Sequence, residues 1–288
     1  MKKILLPIDF PNISMGVVHQ AMFLARHFHA EIILLHVVTS VSYPAGLLES
    51  GHELTARDLH AEIVKRVQKE LDQSLRPEFD GIAVKRLVLR GDPAREIAQT
   101  ARDEKVDLIV MSTYGFGAFY RFLLGSVTAK VLHDSDCPVW TGTHLEEAPA
   151  REFAIRNVLC AVDLGPHSRN TVSQAARVAA EFDARLTLVH VTDSVEIYGP
   201  GGFRVLPEWK EALVGNAAKE IAKLQQDVGT KAEVIIESGD VHKALNRAAE
   251  QIKGDLLVIG HLPSGGHLGE NGSGYAIIRE SQIPVLSV

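Results

Sequence analysis

Short apolar runs alternate along this chain with longer segments in which apolar residues recur every three or four positions. Ile4–Ile8 is such a run and ends at Asp9; a continuous apolar stretch of this length predicts a strand buried on both faces. Ser14 predicts a helix N-cap, and Val18, Ala21, Ala25 and Phe28 then share one helical face. Residues 32–38 predict a second strand, 53–75 a long amphipathic helix and 82–89 a third strand. Asp92 predicts a cap with Pro93 at the first helical position, where a missing N–H costs nothing. Residues 108–111 predict a fourth strand. A Gly-rich loop, a helix from about Gly125 and a terminal strand at 138–141 follow.

The same pattern is then written again. Residues 3–10 (KILLPIDF) recur 154 positions later as 157–164 (NVLCAVDL), and Ser14 meets Ser168 at that offset. Residues 31–37 (EIILLHV) meet 185–191 (RLTLVHV), and Val172, Ala175, Ala179 and Phe182 repeat the helical face. Gly91-Asp92 and residues 107–110 recur at an offset of 148, and Cys137-Pro138-Val139 meets Ile283-Pro284-Val285 at 146. The period is too long for a solenoid repeat and matches a whole small domain. Expected boundaries are 1–144 and 153–288, with a polar linker at 145–152 that holds Glu146, Glu147, Pro149, Arg151 and Glu152. Strand–helix alternation with apolar strands implies an α/β fold with a parallel sheet covered on both faces. Ligands of such sheets sit beyond the carboxyl ends of the strands, where strand order reverses. That directs attention to Asp9 and to the loop that begins at Ser112.

Composition narrows the function. The 288 residues are 46% hydrophobic and 23% charged, with net charge −6. This is globular composition, and a mildly acidic chain lacks the basic face that nucleic acid requires. Two cysteines, Cys137 and Cys160, exclude a disulfide scaffold and a four-cysteine zinc site, and read most simply as packing residues in a reducing compartment. Pro7 and Asp9 end the first apolar run well short of a signal h-region. Thr39, Ser40, Ser42, Pro44 and Gly46 interrupt the longest uncharged stretch, so no membrane span is expected. A soluble cytoplasmic protein is the expectation.

No Walker-type phosphate loop, no Gly-x-Gly-x-x-Gly after a strand and no His-Glu-x-x-His is present, and Ser273 lacks the setting of a nucleophile elbow. What is present is Met111-Ser112-Thr113-Tyr114-Gly115, then nine residues, then Gly125-Ser126-Val127. A glycine after a strand lets amides approach an anion, and Gly-Ser at a helix start adds free N–H groups and the positive end of the helix dipole. Together they form a candidate phosphate cradle. The plainer alternative is that Gly115 and Gly117 shape a loop and Ser126 caps a helix. Among 13 histidines, His36 and His190 hold equivalent strand-end positions and read as packed, hydrogen-bonded residues. His52 and His60 precede or begin the long helix, and His261 and His267 lie in the second Gly-rich loop. A zinc site drawn from Asp163, His190 and His261 is the competing idea. Asp9 and Asp163 read as general bases or as acceptors for ligand or loop N–H groups. No nucleophile–base spacing supports a dedicated catalytic site.

The Gly-x2-Gly-x9-Gly-Ser/Thr pattern, the Pro7-x-Asp9 strand end, Leu35-His36-Val37, Gly91-Asp92, the residues 122–127 (FLLGSV) and Cys137-Pro138-Val139 together resemble the universal stress protein family, in a tandem arrangement that covers nearly the whole chain. The resemblance implies two tandem five-stranded parallel-sheet α/β sandwich domains, Rossmann-like and akin to adenine nucleotide alpha hydrolases, related by a pseudo-two-fold. It implies a stress-response protein that binds ATP, ADP or AMP, with Mg2+ as accompanying ion. Adenine would lie near Pro7, Asp9 and Val37, with ribose and phosphates held by Met111, Ser112, Gly115, Gly125, Ser126 and Val127. Ser112 stands where the pattern has its first glycine, and its hydroxyl either crowds a ribose or bonds to it.

The second half departs further. Asp163, Val191, Gly260, Gly272 and Ser273 form its candidate set. However, Ala161 replaces Pro7, Pro263 replaces Gly115, Gly272-Ser273 comes one residue early and Arg121 has no counterpart. A weakened or altered site is expected there. Pairing of the two halves through the terminal strands 138–141 and 283–288, and a further homodimer, are what the resemblance implies for assembly. The competing functions are a structural or interaction protein that holds no nucleotide, and a slow ATPase with Arg121 as its cation.

Overall fold

A computed structural model describes residues 1–10, 13–39, 56–113, 124–142, 153–192, 207–260 and 273–288. The chain forms two compact units that follow the two copies of the repeat, except that Trp140–Thr143 of the first copy group with the second unit. In the first half, β1 (Lys3–Pro7), β2 (Glu31–Val38), β3 (Val84–Arg90), β4 (Leu108–Ser112) and β5 (Val139–Gly142) alternate with α1 (Met15–Phe28), α2 (Ala56–Gln73), α3 (Pro93–Asp103) and α4 (Ser126–Asp134). Their order in the sheet is β3-β2-β1-β4-β5. β1 pairs in parallel with both β2 and β4, in register Ile4↔Ile32 and Ile4↔Leu108. In the second half, β6 (Asn157–Ala161), β7 (Arg185–Thr192), β8 (Glu233–Ser238), β9 (Leu256–Ile259) and β10 (Val285–Ser287) alternate with α5 (Ser168–Glu181), α6 (Pro207–Val228), α7 (Val241–Ile252) and α8 (Ser273–Glu280). The order is β8-β7-β6-β9-β10, so the topology is repeated with the sequence.

The central strands are apolar because both faces are covered. Ile4, Leu5, Ile32, Ile33, Leu34, Leu35, Ile109 and Val110 are fully buried in the first half, as are Val158, Leu159, Cys160, Leu188 and Val258 in the second. Such continuous burial is the mark of strands with helices on either side. The helical face read from the sequence is likewise turned inward: Val18, Ala21, Ala25, Val172, Ala175 and Ala179 are buried. Phe28 and Phe182, at the ends of their helices, are only half-buried.

Several boundaries move for local reasons. The second helix, expected over 53–75, ends at Gln73, because Leu75 is left-handed at φ 54° and the Arg86 guanidinium donates to the carbonyls of Leu71 and Ser74; residues 53–55 lie outside the described ones. Both carbonyls lie at the end of the helix, where Leu71 O also accepts from Ser74 N–H at 3.2 Å. β3 begins at Val84, two residues later than expected. The first closing strand shifts by one residue to Val139–Gly142, and the second shortens to Val285–Ser287. Pro138 precedes the first of these, and its carbonyl accepts from Ile109 N–H at 3.0 Å. Asp92 caps α3 as expected, its Oδ1 accepting from Arg95 N–H at 3.1 Å. Ser14 occupies the N-cap position of α1 with extended backbone, but its hydroxyl makes no capping bond.

A carboxylate ties the start of each sheet. Asp107 Oδ2 accepts the N–H groups of Lys2 and Lys3, and Asp255 Oδ2 accepts those of Arg156 and Asn157 at 2.8 and 2.9 Å. Each aspartate immediately precedes or begins the penultimate strand of its half. The same bond made twice holds β1 to β4 and β6 to β9 at their amino ends, opposite the carboxyl ends of the strands.

Candidate functional site

In the first half the strand order reverses between β1 and β4. The crossover helices leave these two strands in opposite directions, and a crevice opens beyond their carboxyl ends. A cavity of about 590 Å³ occupies it. Pro7, Asp9, Val37, Met111, Ser112, Gly125, Ser126 and Val127 all line it. Gly115 lies outside the described residues, as do Gly117 and Arg121.

The floor is apolar. Val17 and Val18 reach it from α1, and both are buried. Pro93 and Ile97 reach it from the first turns of α3. The sequence reading did not place these residues in a site. The signal was available, since the Gly91-Asp92 turn ends β3 and brings the start of α3 to the carboxyl edge. Gly91 adopts φ 154°, and a Cβ there would meet Glu96 Oε1 at 2.6 Å, so the turn requires glycine.

The α4 side of the cavity is polar. Gly125, not Ser126, is the N-cap, and Ser126 is the first helical residue. The plain alternative in which Ser126 caps the helix is therefore corrected. Gly125 N–H donates to Thr113 O at 3.0 Å, and Thr128 Oγ1 donates to Ser112 O at 2.9 Å. These two bonds fix the helix start against the end of β4. The first helical bond runs from Ala129 N–H to Gly125 O at 2.8 Å. The amides of Ser126, Val127 and Thr128 are thus the orphan donors that every helix start exposes, and none has an acceptor among the described residues. They carry the positive end of the helix dipole.

Asp9 stands across the cavity at the end of β1. Its carboxylate is exposed, and it has no hydrogen-bond or ion-pair partner among the described residues. His36 lies beside it. His36 Nδ1 is 3.0 Å from Ile8 O, and the Phe10 ring meets the imidazole edge-on at 5.3 Å between centroids. A carbonyl only accepts, so Nδ1 carries the proton and the neutral ring has its lone pair on Nε2. His190 repeats this bond to Val162 O at 2.7 Å. Both histidines are therefore hydrogen-bonded strand-end residues, as the spacing suggested.

A sequence profile of the universal stress protein family matches residues 1–141 and again 154–288. The chain belongs to the universal stress protein family. A relative from Methanocaldococcus jannaschii, itself a universal stress protein, is 33% identical over 141 residues, covering 48% of this chain and 79% of its own. A universal stress protein of Mycolicibacterium smegmatis is 30% identical over 215 residues, covering 72% of this chain and 68% of its own. Among solved structures, a universal stress protein from Archaeoglobus fulgidus superposes on 99% of this chain and 97% of its own at TM-score 0.69, with 22% identity. That likeness concerns the fold.

The second half of this universal stress protein arranges the equivalent residues differently. Asp163 is not open. Its Oδ1 accepts the Ser168 hydroxyl and, at 2.9 Å, the Gly165 N–H. Partial burial alone would raise its pKa; the Ser168 and Gly165 donors outweigh this and hold the carboxyl below its ordinary value. Val191 lies in β7 and Gly260 follows β9. A Cβ on Gly260 would stand 3.0 Å from Thr171 Oγ1. Ser273 begins α8; Gly272, Pro263, His261 and His267 lie outside the described residues. Of the zinc idea's three residues, Asp163 Oδ1 and His190 Nδ1 are hydrogen-bonded to Ser168 and Val162, and His261 lies outside the described residues. No cluster of three metal-ligating side chains occurs among the described residues, and no described helix is long and apolar enough to cross a membrane.

Proposed function

We propose that the first half binds an adenine nucleotide, ATP, ADP or AMP, and that the chain works as a stress-linked binding and regulatory module. The observation that carries this reading is one cavity lined both by Asp9, whose carboxylate has no partner among the described residues, and by the open helix N-terminus Gly125-Ser126-Val127. A volume of about 590 Å³ lies within the roughly 300–1,000 Å³ of small-molecule sites. A planar base suits the apolar wall of Val17, Val18, Val37 and Ile97. Asp9 accepts from a ribose hydroxyl or a base amino group. Ser112 offers a hydroxyl beside the sugar. Phosphates meet the amides of α4, with Mg2+ brought by the nucleotide itself.

Calorimetric titration with millimolar ATP, ADP and AMP tests the reading. Heat of binding is expected for the wild type and a loss of at least about tenfold in affinity for Gly125→Val, whose branched side chain fills the phosphate end. Absence of heat with all three nucleotides overturns the reading. A second reading, an interaction protein without nucleotide, draws on Ser112 in place of the pattern's first glycine. It predicts that Gly125→Val changes nothing in such a titration.

A further inference from the structure

Two hydrogen bonds join the end of β4 to the start of α4. Gly125 N–H donates to Thr113 O at 3.0 Å, and Thr128 Oγ1 donates to Ser112 O at 2.9 Å. Residues 114–123 connect the joined ends and lie outside the described residues. Thr128 is buried, at 4% exposure, and it lines the cavity together with Ser112, Gly125, Ser126 and Val127. A threonine within a helix often turns its hydroxyl back to a carbonyl of the preceding turn. Here the hydroxyl reaches across to a different element.

The N-cap shows why that matters. A polar N-cap side chain fixes a helix start by accepting from an amide of the first turn, and so occupies that amide. Asp92 does this for α3 through Arg95 N–H at 3.1 Å, and Asp240 for α7 through Lys243 N–H at 3.3 Å. Gly125, the N-cap of α4, has no side chain to do so. The start of α4 is instead fastened through the Thr128 hydroxyl, and the Ser126, Val127 and Thr128 amides keep no acceptor among the described residues. A side-chain link from α4 to α3, Lys130 Nζ to Asp92 Oδ2 at 3.6 Å, joins exposed groups and contributes little.

The fold does not require this fastening. Ser135 Oγ donates to Cys137 O at 3.1 Å and Ser281 Oγ to Ile283 O at 2.7 Å, so the ends of the two halves correspond at an offset of 146. At that offset Thr128 meets Gly274, inside α8. The last helix of the second half therefore forms without a hydroxyl at this place.

We propose that Thr128 is a positioning residue for the phosphate end of the site: its hydroxyl holds the first turn of α4 on the end of β4 while leaving the helix's free amides to the ligand. The proposal rests on the nucleotide reading of the first cavity.

Two measurements on the full chain test it. The first is calorimetric titration with ATP, and with adenosine by displacement of ATP. Thr128→Val keeps the branched shape and removes the hydroxyl. It should weaken ATP at least about fivefold, the scale of one hydrogen bond, and adenosine less than about twofold. Thr128→Ser should return ATP affinity to near the wild-type value. Unchanged ATP affinity in Thr128→Val, or equal losses for ATP and adenosine, would overturn the proposal. The second is amide hydrogen exchange without ligand. Ala129, Lys130 and Val131 of α4 should exchange faster in Thr128→Val than in the wild type or Thr128→Ser, with β2 unchanged. Equal exchange in α4, or faster exchange that includes β2, would show that Thr128 does not specifically hold the helix start. A wild type silent to ATP refutes the proposed function, and the exchange series still decides whether Thr128 fastens α4.

Discussion

At the scale of single residues, hydrogen-bond partners separate two aspartates that the sequence writes identically. Asp163 is bonded to its own turn, and its carboxyl is held below the ordinary range by Ser168 and Gly165 against the opposing effect of burial. A folded-state pKa below the unfolded value of about 3.9 means that the ionised form stabilises the fold. That contribution is complete above the unfolded value and disappears as pH falls through the folded one. The expected outcome is a urea midpoint that drops on acidification below about pH 4, more steeply in the wild type than in Asp163→Asn. Equal pH profiles in the two proteins would show that the turn contributes nothing. Cys160 belongs to this scale as well. Burial pushes its thiol far up, and the side chain is fully buried on β6, which agrees with a packing role.

At the scale of elements, the strands owe their burial to helices on both sides of each sheet. Leu34, in the middle of β2, is completely buried between paired β1 and β3. Leu34→Ala is expected to cost about 2–5 kcal/mol, as buried leucine truncations do, read from urea unfolding. A cost below about 1 kcal/mol would mean that the sheet collapses onto the gap more readily than close packing allows. Element type and order were legible from the chain because they depend on local periodicity. Near-continuous apolar runs mark strands covered twice, and the Val18, Ala21, Ala25 face marks α1. Element ends were less legible. The end of α2 depends on Arg86, a residue of β3 that reaches back to the carbonyls of Leu71 and Ser74. Nothing within the helix sequence announces that partner.

At the scale of the whole molecule, the chain is a tandem of one α/β plan, with the family matched in both halves. Binding to the native state alone stabilises it by mass action, about 2.7 kcal/mol at a ligand concentration 100 times Kd. For a domain of about 150 residues, this raises Tm by several degrees. Scanning calorimetry with excess ATP should therefore shift the unfolding of the first half. Failure of the first half's transition to move would contradict nucleotide binding there. Of the first half's candidate residues, those from Pro7 to Val37 and from Met111 to Val127 that the structure describes do meet in one cavity. Asp9 and the loop from Ser112 were readable because the ends of parallel strands at a switch point converge whatever the side chains are, and Pro7 and Val37 were readable from the family resemblance. The apolar floor from α1 and α3 was not, because Val17, Val18, Pro93 and Ile97 look like ordinary core residues until the helices are docked.

The amino-acid order alone determined the repeat, the alternation of strands and helices and the edge of the sheets at which a ligand would sit, since each follows from periodicity and from the handedness of crossovers. Tertiary structure decided which carboxylate is engaged by its own turn. A proline against a glycine two positions past the aspartate, and a threonine 3.0 Å from the place of a missing Cβ, act through space, and their consequences exist only once the turn and the helix are in position.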